Sequence, residues 1–218
     1  IGSLRNVRVM RSGKEVAALD VYDYIFKGKL SDDVRLEEGD VIVVPPYGVL
    51  VNIDGNVKRP MYYEMKPDET LATLIEYAGG FSGDAYTKDV RLVRQTGRER
   101  QLFNVGGEEF AACRLEDGDA VTVGATLERF ANRVEVRGAV YRPGMYELGE
   151  GMNTVSALVA RADGLKDDAF LSRVQLLRER EDLTQEVVAL DLSGLLSGRV
   201  PDVALKRNDV LVVQSVHE

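Results

Sequence analysis

A short strand-like pattern that ends in arginine recurs three times in this chain at a nearly constant spacing. The three copies start at Val7, Val90 and Val174, so successive copies lie 83 and 84 residues apart. Each copy leads to a closing signature in which an aspartate precedes a valine-rich run. The equivalent aspartates are Asp40, Asp119 and Asp209. Self-similarity at a fixed period restricts the chain to a tandem array of one small domain.

A second repeated element, a hairpin pattern containing Gly, precedes only the later two copies. Residues 53–65 read IDGNVKRPMYYEM and residues 137–148 read RGAVYRPGMYEL. In both, a Pro follows the Gly by five residues and a Tyr follows the Pro by three. The equivalent positions are Gly55, Pro60 and Tyr63, and Gly138, Pro143 and Tyr146. The sequence therefore predicts the second half of a first unit over residues 1–46, and complete units over residues 47–125 and 126–218.

The junctions between these units are short. They fall at Pro45-Pro46 and at residues 124–131, so we expect neighbouring units to pack against each other rather than swing freely. The chain opens directly on a strand-like run, with neither an initiator Met nor a signal-peptide pattern. We therefore expect it to be a piece of a longer protein.

Each complete unit begins with a predicted hairpin. Residues 134–140 alternate between apolar and other residues, which is typical of a strand. The next turn is predicted to be of type II, because it has Pro143 at its second position and Gly144 at its third. The return strand is predicted over residues 145–148. In the second unit Met61 stands at the Gly position. A type I turn is expected there, because a non-Gly residue disfavours positive φ.

A helix follows each hairpin, with apolar residues at i, i+3, i+4 and i+7. These residues are Leu71, Leu74, Ile75 and Ala78 in one unit and Val155, Leu158, Val159 and Ala162 in the other. Candidate N-caps are Asp68 or Thr70, and Asn153 or Thr154; Gly79-Gly80 and Gly164 end the helices. The fold class is therefore α+β. A mixed sheet with one main helix on one face, in this order, is the ubiquitin-like β-grasp.

Several residues are candidates for contact with a ligand or a neighbouring subunit. Tyr62 and Tyr141 lie at the hairpin ends, where their aromatic faces can stack on sugars or contact another protomer. The alternation of the strand residues assigns Tyr63 and Tyr146 to the core. Glycine inside a strand, as at Gly55 and Gly138, indicates a bulge or close packing under the helix, or else room for a ligand or a neighbouring subunit. Pro60, Pro143 and Gly144 are interpreted as turn formers.

The hairpins also carry a basic cluster in an otherwise acidic chain. Its members are Arg133, Arg137 and Arg142 in the third unit, echoed by Lys58 and Arg59 in the second. They are either solvated, paired with acidic residues across a subunit interface, or in contact with an anionic polymer. The repeated aspartates are interpreted as turn residues that bond their own backbone, rather than as catalytic or metal-binding groups.

Composition and motifs exclude several classes of function. The net charge of −8 and the absence of a basic stripe argue against nucleic-acid binding. The chain has a single cysteine, Cys113, and a single histidine, His217. These are too few for a thiolate cluster, a zinc site built on Cys and His, or a His-based triad. We therefore expect no enzyme activity, no cofactor and no metal. No apolar run approaches the ~18 residues of a membrane helix, so no membrane contact is expected.

The repeated pattern resembles the soluble-ligand-binding β-grasp (SLBB) domain. The third unit carries it at Val136, Gly138, Val140, Pro143, Gly144 and Tyr146, then at Ala162 and Gly164, at residues 174–178 and at Asn208-Asp209-Val210. The second unit repeats it at Ile53, Gly55, Val57, Pro60 and Tyr63, then at residues 78–80, 90–94 and 118–119. Tandem arrays of this domain are typical of bacterial polysaccharide export proteins. The amino-acid sequence of the chain is also similar to that of the long capsule and exopolysaccharide exporters of the Bacteroides group.

This resemblance implies a periplasmic, non-catalytic segment of an outer-membrane-associated homo-oligomer. Its domains would stack as rings around a polysaccharide in transit, supplied by an inner-membrane polysaccharide co-polymerase. Two other roles stay open. Each unit could capture a soluble oligosaccharide on its hairpin face. A redox role is the third, because the same domain type occurs in respiratory complexes, although a single Cys113 disfavours it.

Overall fold

A computed structural model describes residues 1–29 and 33–217 and divides the chain into two compact units, Ile1–Leu127 and Glu128–Glu218. The first unit holds a three-stranded and a five-stranded sheet, and the second holds one five-stranded sheet. We keep the names first, second and third module for residues 1–46, 47–125 and 126–218. The first of these boundaries stays a prediction, and the second lies two residues from the division between the compact units.

The first module is a small antiparallel sheet with one helix. Its elements are β1 (Val7–Arg11), β2 (Lys14–Leu19), α1 (Val21–Lys27) and β3 (Val41–Val43). The strand order is β2-β1-β3. Asp20 starts α1 by accepting a hydrogen bond from the backbone N–H of Tyr22, and Gly28 ends the helix in the left-handed conformation.

The second module is a mixed five-stranded sheet in the order β5-β4-β8-β6-β7. Its elements are β4 (Val49–Gly55), β5 (Met61–Met65), α2 (Leu71–Tyr77), β6 (Asp89–Gln95), β7 (Arg100–Gly106), a 3-10 helix (Gly107–Glu109) and β8 (Ala120–Val123). β4 and β8 pair in parallel, and the other neighbours pair antiparallel.

The third module repeats this topology in the order β10-β9-β13-β11-β12. Its elements are β9 (Arg133–Gly138), β10 (Gly144–Glu147), α3 (Val155–Arg161), a 3-10 helix (Leu171–Arg173), β11 (Val174–Glu179), β12 (Gln185–Leu190), α4 (Leu192–Leu196) and β13 (Val210–Val213). The predicted α+β class with tandem β-grasp units is confirmed. No helix of the described residues is long and apolar enough to cross a membrane.

Each five-stranded sheet buries one face against its helix and leaves the other face open. The covered face of the second module is formed by alternate strand residues and the apolar side of α2: Val51, Ile53, Tyr63, Leu71, Leu74, Leu92 and Val121. The third module places Val134, Val136, Leu158, Leu176 and Leu211 in the same way. Period-two burial in the strands and 3.6-residue burial in the helix are what the sequence pattern predicts. Thr70 and Thr154 are the observed N-caps.

The hairpin connections are not the tight turns that the sequence predicts. Gly144 has φ of +143° and already pairs with Val136 in the sheet, so it begins β10 instead of completing a type II turn. Met61 likewise pairs with Ile53 as a strand residue rather than closing a type I turn. Residues 56–60 and 139–143 form open loops. Two amides of each loop bond to carbonyls of the segment that follows the helix, which are those of Ala78 and Gly80 in one module and of Ala162 and Gly164 in the other.

The strand glycines are crowded by a neighbouring strand, not by the helix. Gly55 and Gly138 end β4 and β9 with φ of +81° and +89°. A Cβ atom at Gly55 would lie 2.1 Å from the carbonyl oxygen of Val123, and one at Gly138 would lie 2.0 Å from that of Val213. The predicted close packing is therefore present, but its partner is the last strand of the module. Only glycine fits both the φ and the space.

The repeated aspartates pair with the arginine that ends each V-x-x-x-R strand. Each carboxylate accepts a backbone N–H bond from the residue three positions earlier, as a turn aspartate does, at 2.7–2.8 Å. It also accepts two bonds from one guanidinium, which no sequence pattern indicated. The pairs are Arg11–Asp40, Arg94–Asp119 and Arg178–Asp209. These bonds lower the pKa of Asp40 to about 2.

A buried ionic cluster joins the first and second modules within the first compact unit. Arg5, whose side chain is 4% exposed, donates to the carboxylates of Asp20 and Glu69 and to the carbonyl oxygen of Glu64. Its guanidinium lies 4.4 Å from the centre of the Tyr22 ring and also bonds the Tyr77 hydroxyl. No spacing in the sequence indicates this cluster, because its members come from both modules.

Candidate interface and ligand-binding surfaces

The hairpin loop has the same construction in both complete modules. The amides of Lys58 and Arg59 bond to carbonyls just beyond α2 at 3.1 and 2.8 Å. Those of Tyr141 and Arg142 bond to carbonyls just beyond α3 at 3.2 and 3.0 Å. In each module a tyrosine hydroxyl also donates a hydrogen bond to the backbone carbonyl oxygen of the loop arginine. The pairs are Tyr63 to Arg59 at 2.7 Å and Tyr146 to Arg142 at 2.6 Å. The loop is thus fixed by main-chain bonds, and its outward side chains are free to vary.

The two candidate tyrosines occupy different places in their modules. Tyr63 is buried and Tyr146 packs against the core, as the alternation predicts. Tyr62 is 63% exposed and lies on β5, on the open sheet face. Tyr141 is 56% exposed and lies in the loop, at the position of Lys58. Each hairpin therefore presents one exposed candidate tyrosine, at a sheet position in the second module and at a loop position in the third.

The candidate basic residues are mostly engaged within their own modules. Arg137 pairs with Glu135 at 2.6 Å on the open sheet face, and Arg142 pairs with Asp163 beyond the end of α3. Arg59 donates to the carbonyl oxygen of Tyr77 at 3.0 Å. Lys58 remains exposed in its loop. Arg137 and Arg142 thus pair with acidic residues of their own chain, and contact of these exposed guanidinium groups with a neighbouring subunit or an anionic polymer stays a prediction.

The open sheet face of the second module carries a continuous row of side chains across all five strands. The register places Tyr62 beside Asn52, then Ala120, Val93 and Leu102. The two ends of the row are prominent, because Tyr62 is 63% and Leu102 is 60% exposed. Strand residues on this face are the ones that the core does not use.

The third module repeats this row with different apolar residues. Its members, in order across the sheet, are Met145, Glu135, Val210, Leu177 and Val187. The ends are again exposed, at 58% for Met145 and 58% for Val187. The two complete modules therefore present the same surface, and we call it the cross-strand row.

A groove of about 490 Å³ runs beside the row of the third module. Phe130, Leu177 and Leu183 give it apolar walls, while Arg133 and Arg137 give it a basic side. The Nε of Arg133 is buried and makes no hydrogen bond among the described residues. This groove contains two of the predicted basic residues and combines guanidinium groups with an aromatic ring.

The candidate surfaces carry exposed aromatic, aliphatic and basic side chains, which suit packing and stacking. Over residues 1–29 and 33–217, no group of three or more His, Cys, Asp or Glu side chains is placed to hold a metal ion. Burial raises the pKa of the Cys113 thiol, which keeps it in the unreactive protonated form. Sequence reasoning missed the cross-strand row, although the alternate positions of each strand would have signalled it once the strand order was known.

Comparison with family models matches two ranges of the chain. Residues 50–108 match the model described as SLBB domain, and residues 132–213 match a second model with the same description. The two ranges fall in the second and third modules and together cover more than half of the chain. No curated protein matches the chain.

Proposed function

Because the chain belongs to the SLBB domain family and carries its domains in tandem, we propose that it is a non-catalytic wall segment of an oligomeric polysaccharide exporter. SLBB domains, the soluble-ligand-binding β-grasp domains, are binding or structural modules found in polysaccharide export proteins. The proposed setting is the periplasm, below an outer-membrane-associated ring. The polysaccharide passes through the ring, and a co-polymerase of the inner membrane delivers it.

The cross-strand row is the observation that supports subunit packing. Single exposed apolar residues are normal on a protein surface. Here the exposed apolar residues stand at equivalent ends of the row in two modules whose sequences differ, with Tyr62 matching Met145 and Leu102 matching Val187. Open sheet faces pack readily on another sheet, about 10 Å away. This repeated face gives both complete modules the same means of contacting a neighbouring subunit.

A double substitution at the row tests the proposal. We expect Leu102→Asp with Val187→Asp to dissociate the full-length oligomer in detergent, measured by native mass spectrometry. The physical reason is that two carboxylates placed in an apolar contact must be desolvated without partners. Both side chains are exposed in the chain, so we expect the thermal unfolding midpoint to stay within a few degrees of the wild type.

The matched control is Leu196→Asp, an apolar residue of α4 that is 44% exposed and stands off the sheet face. It should leave the oligomer intact. An intact oligomer in the double variant, with the same mass as the wild type, contradicts packing through the row.

A second candidate function rests on the exposed aromatic residue in the preformed loop. Tyr141 stands free beside the Arg142–Asp163 pair, which is a suitable arrangement for stacking on a sugar ring. If the module captures a soluble oligosaccharide there, Tyr141→Ala abolishes binding on a glycan array and Tyr62→Ala does not. If neither the wild type nor either variant binds any glycan, the capture role is rejected.

A further inference from the structure

A glutamate on the edge strand of the second module is the point at which the first module docks. Glu64, on β5, is only 7% exposed. Its carboxylate accepts hydrogen bonds from the Ser3 hydroxyl at 2.6 Å and from the Leu4 amide at 2.8 Å. Its own amide donates to the Tyr22 hydroxyl at 2.8 Å, and its carbonyl oxygen accepts a bond from Arg5 at 3.0 Å. A Ser-Leu-Arg segment thus covers this strand edge.

The third module has an equivalent glutamate that is exposed. Glu147 occupies the register position of Glu64 in its hairpin. The amide of the next residue, Leu148, bonds inward to the carbonyl oxygen of Asn132, so the amide and carbonyl of Glu147 point away from β9. The strand that carries Glu147, β10, pairs with β9 alone among the described strands. The edge that a segment of chain covers in the second module is therefore open in the third.

A groove of about 630 Å³ adjoins Glu147. Its walls come from β10, from the loop that follows β10 and from α3. Its charged lining residues are Glu147, Glu150 and Arg161, and its apolar ones include Met145, Met152 and Ala157. Two carboxylates and one guanidinium give the groove a net negative charge, which favours a basic occupant.

The last residue of the helix differs between the two modules. α2 ends in Tyr77, which is buried and packs against the rings of Tyr22 and Phe26, with ring centres 5.3 and 4.8 Å away. α3 ends in Arg161, which is exposed. Permanent interfaces are more apolar than transient ones. A guanidinium in place of the aromatic ring therefore suits a partner that binds reversibly.

We propose that the groove beside Glu147 is the docking site for a partner protein, which binds through a segment with a serine or threonine two positions before an arginine. The hydroxyl and the amide after it donate to the Glu147 carboxylate, as they do to that of Glu64. The guanidinium donates to the Glu147 carbonyl oxygen, and Glu150 supplies a countercharge. The negative charge of the groove disfavours an anionic polymer as its occupant.

Binding of a short peptide to the 218-residue chain tests the proposal. The peptide is acetyl-Gly-Ser-Leu-Arg-Asn-amide, which has the sequence of residues 2–6. With methyl-¹³C methionine in the protein, we expect the NMR signal of Met152 to shift saturably, with a dissociation constant of about 1 mM. The signals of Met61 and Met65, which lie on β5, should stay unchanged.

A substitution in the protein and one in the peptide isolate the charge contribution. Glu147→Gln should weaken binding about five- to tenfold, because it removes the charge that the donors of the peptide meet. Glu181→Gln is the matched control, since Glu181 is exposed in the connection between β11 and β12, at the opposite edge of the sheet. It should bind the peptide as the wild type does. A peptide with glutamine in place of arginine should bind about tenfold more weakly.

Three outcomes overturn the inference: an unmoved Met152 signal at about 10 mM peptide, equal binding of the arginine and glutamine peptides, and a Glu147→Gln variant that binds like the wild type. A shift of Met61 and Met65 without Met152 shows that the peptide displaces the first module, and it also overturns the inference. These measurements involve neither the oligomer nor a polysaccharide, so failure here leaves the proposed export role untouched.

Discussion

Replacing Gly138 with alanine is expected to destabilise the second compact unit by roughly 3 kcal/mol or more, one of the two largest effects predicted for this chain. Two costs add at this position. A Cβ atom would lie 2.0 Å from the carbonyl oxygen of Val213, so β9 and β13 must move apart where they pair. The backbone also has φ of +89°, which an alanine adopts only with strain.

Gly164→Ala separates the two costs in the same unit. Gly164 has the same φ of +89°, but no heavy atom lies within 4 Å of the position that a Cβ would take, so only the backbone strain remains. We expect a loss of about 1 kcal/mol there. Urea unfolding of both variants measures the difference. Equal losses at the two glycines would show that crowding by Val213 has no energetic consequence.

Removal of Arg5 is expected to cost about 3–5 kcal/mol in the first compact unit. The Arg5→Ala variant leaves the carboxylates of Asp20 and Glu69 buried, with side chains 8% and 13% exposed, and takes away the guanidinium that bonds both. Lys66 still pairs with Asp20 at 2.7 Å, but the charge of Glu69 loses its cation. Arg5→Lys should fall between the wild type and the alanine variant, because one ammonium cannot reproduce the fork of bonds.

The pH dependence of this loss has a defined sign. Burial is the largest single influence on the pKa values of Asp20 and Glu69 and raises them, but the hydrogen bonds and charges around them together hold both pKa values below the ordinary ones. The partners are Arg5 and Lys66 for Asp20, and Arg5, the Tyr77 hydroxyl and the Lys66 amide for Glu69. The stabilisation is therefore fully present above about pH 4.3, the ordinary value for Glu, and is lost as the pH falls through the lowered values. In Arg5→Ala the bonds from Tyr77 and the Lys66 amide remain, but we expect burial, the largest influence on Glu69, to raise its pKa, so lowering the pH from 7 towards 5 should recover part of the stability.

Urea unfolding at pH 7 and pH 5 measures the loss of stability in Arg5→Ala and its partial recovery at the lower pH. Arg11→Ala is the control. Arg11 also makes two bonds to one aspartate, Asp40, whose side chain is 3% exposed. Arg11 itself is 29% exposed, so water can enter where its guanidinium is removed, and Asp40 keeps its bond from the backbone N–H of Glu37. The loss in Arg11→Ala should be clearly smaller. If Arg5→Ala and Arg11→Ala lose the same free energy, or if Arg5→Ala shows the pH dependence of the wild type, the buried cluster does not stabilise the junction of the two modules.

The repeat made the fold predictable from the sequence alone. Two copies of the hairpin pattern and three of the closing signature fixed the order of strands and helices, because each pattern has the period of its own element. The helix boundaries followed from apolar spacing and from Gly79, Gly80 and Gly164, which are all left-handed in the structure. The turn types failed at Gly144 and Met61, since local turn chemistry was outweighed by amide bonds to the segment that follows the helix.

The candidate surfaces were predictable only in part. Exposure of Tyr62 and Tyr141 follows from alternation and loop position, and both are exposed. The cross-strand row that Tyr62 begins does not follow, because it depends on the order and register of the strands. The pairing of Arg137 with Glu135 and of Arg142 with Asp163 is likewise a matter of side-chain reach after folding.

The sequence by itself determined the repeated unit, its α+β class, the covering helix and the glycines that end it, because short-range periodicity and backbone conformation are local properties. Only the tertiary structure decided what the glycines avoid, which arginine neutralises each repeated aspartate, how Arg5 joins two modules, and which residues form the cross-strand row. Each of these depends on contacts between residues about 25 to 75 positions apart in the chain. Such contacts follow from strand order and register, which no local pattern encodes.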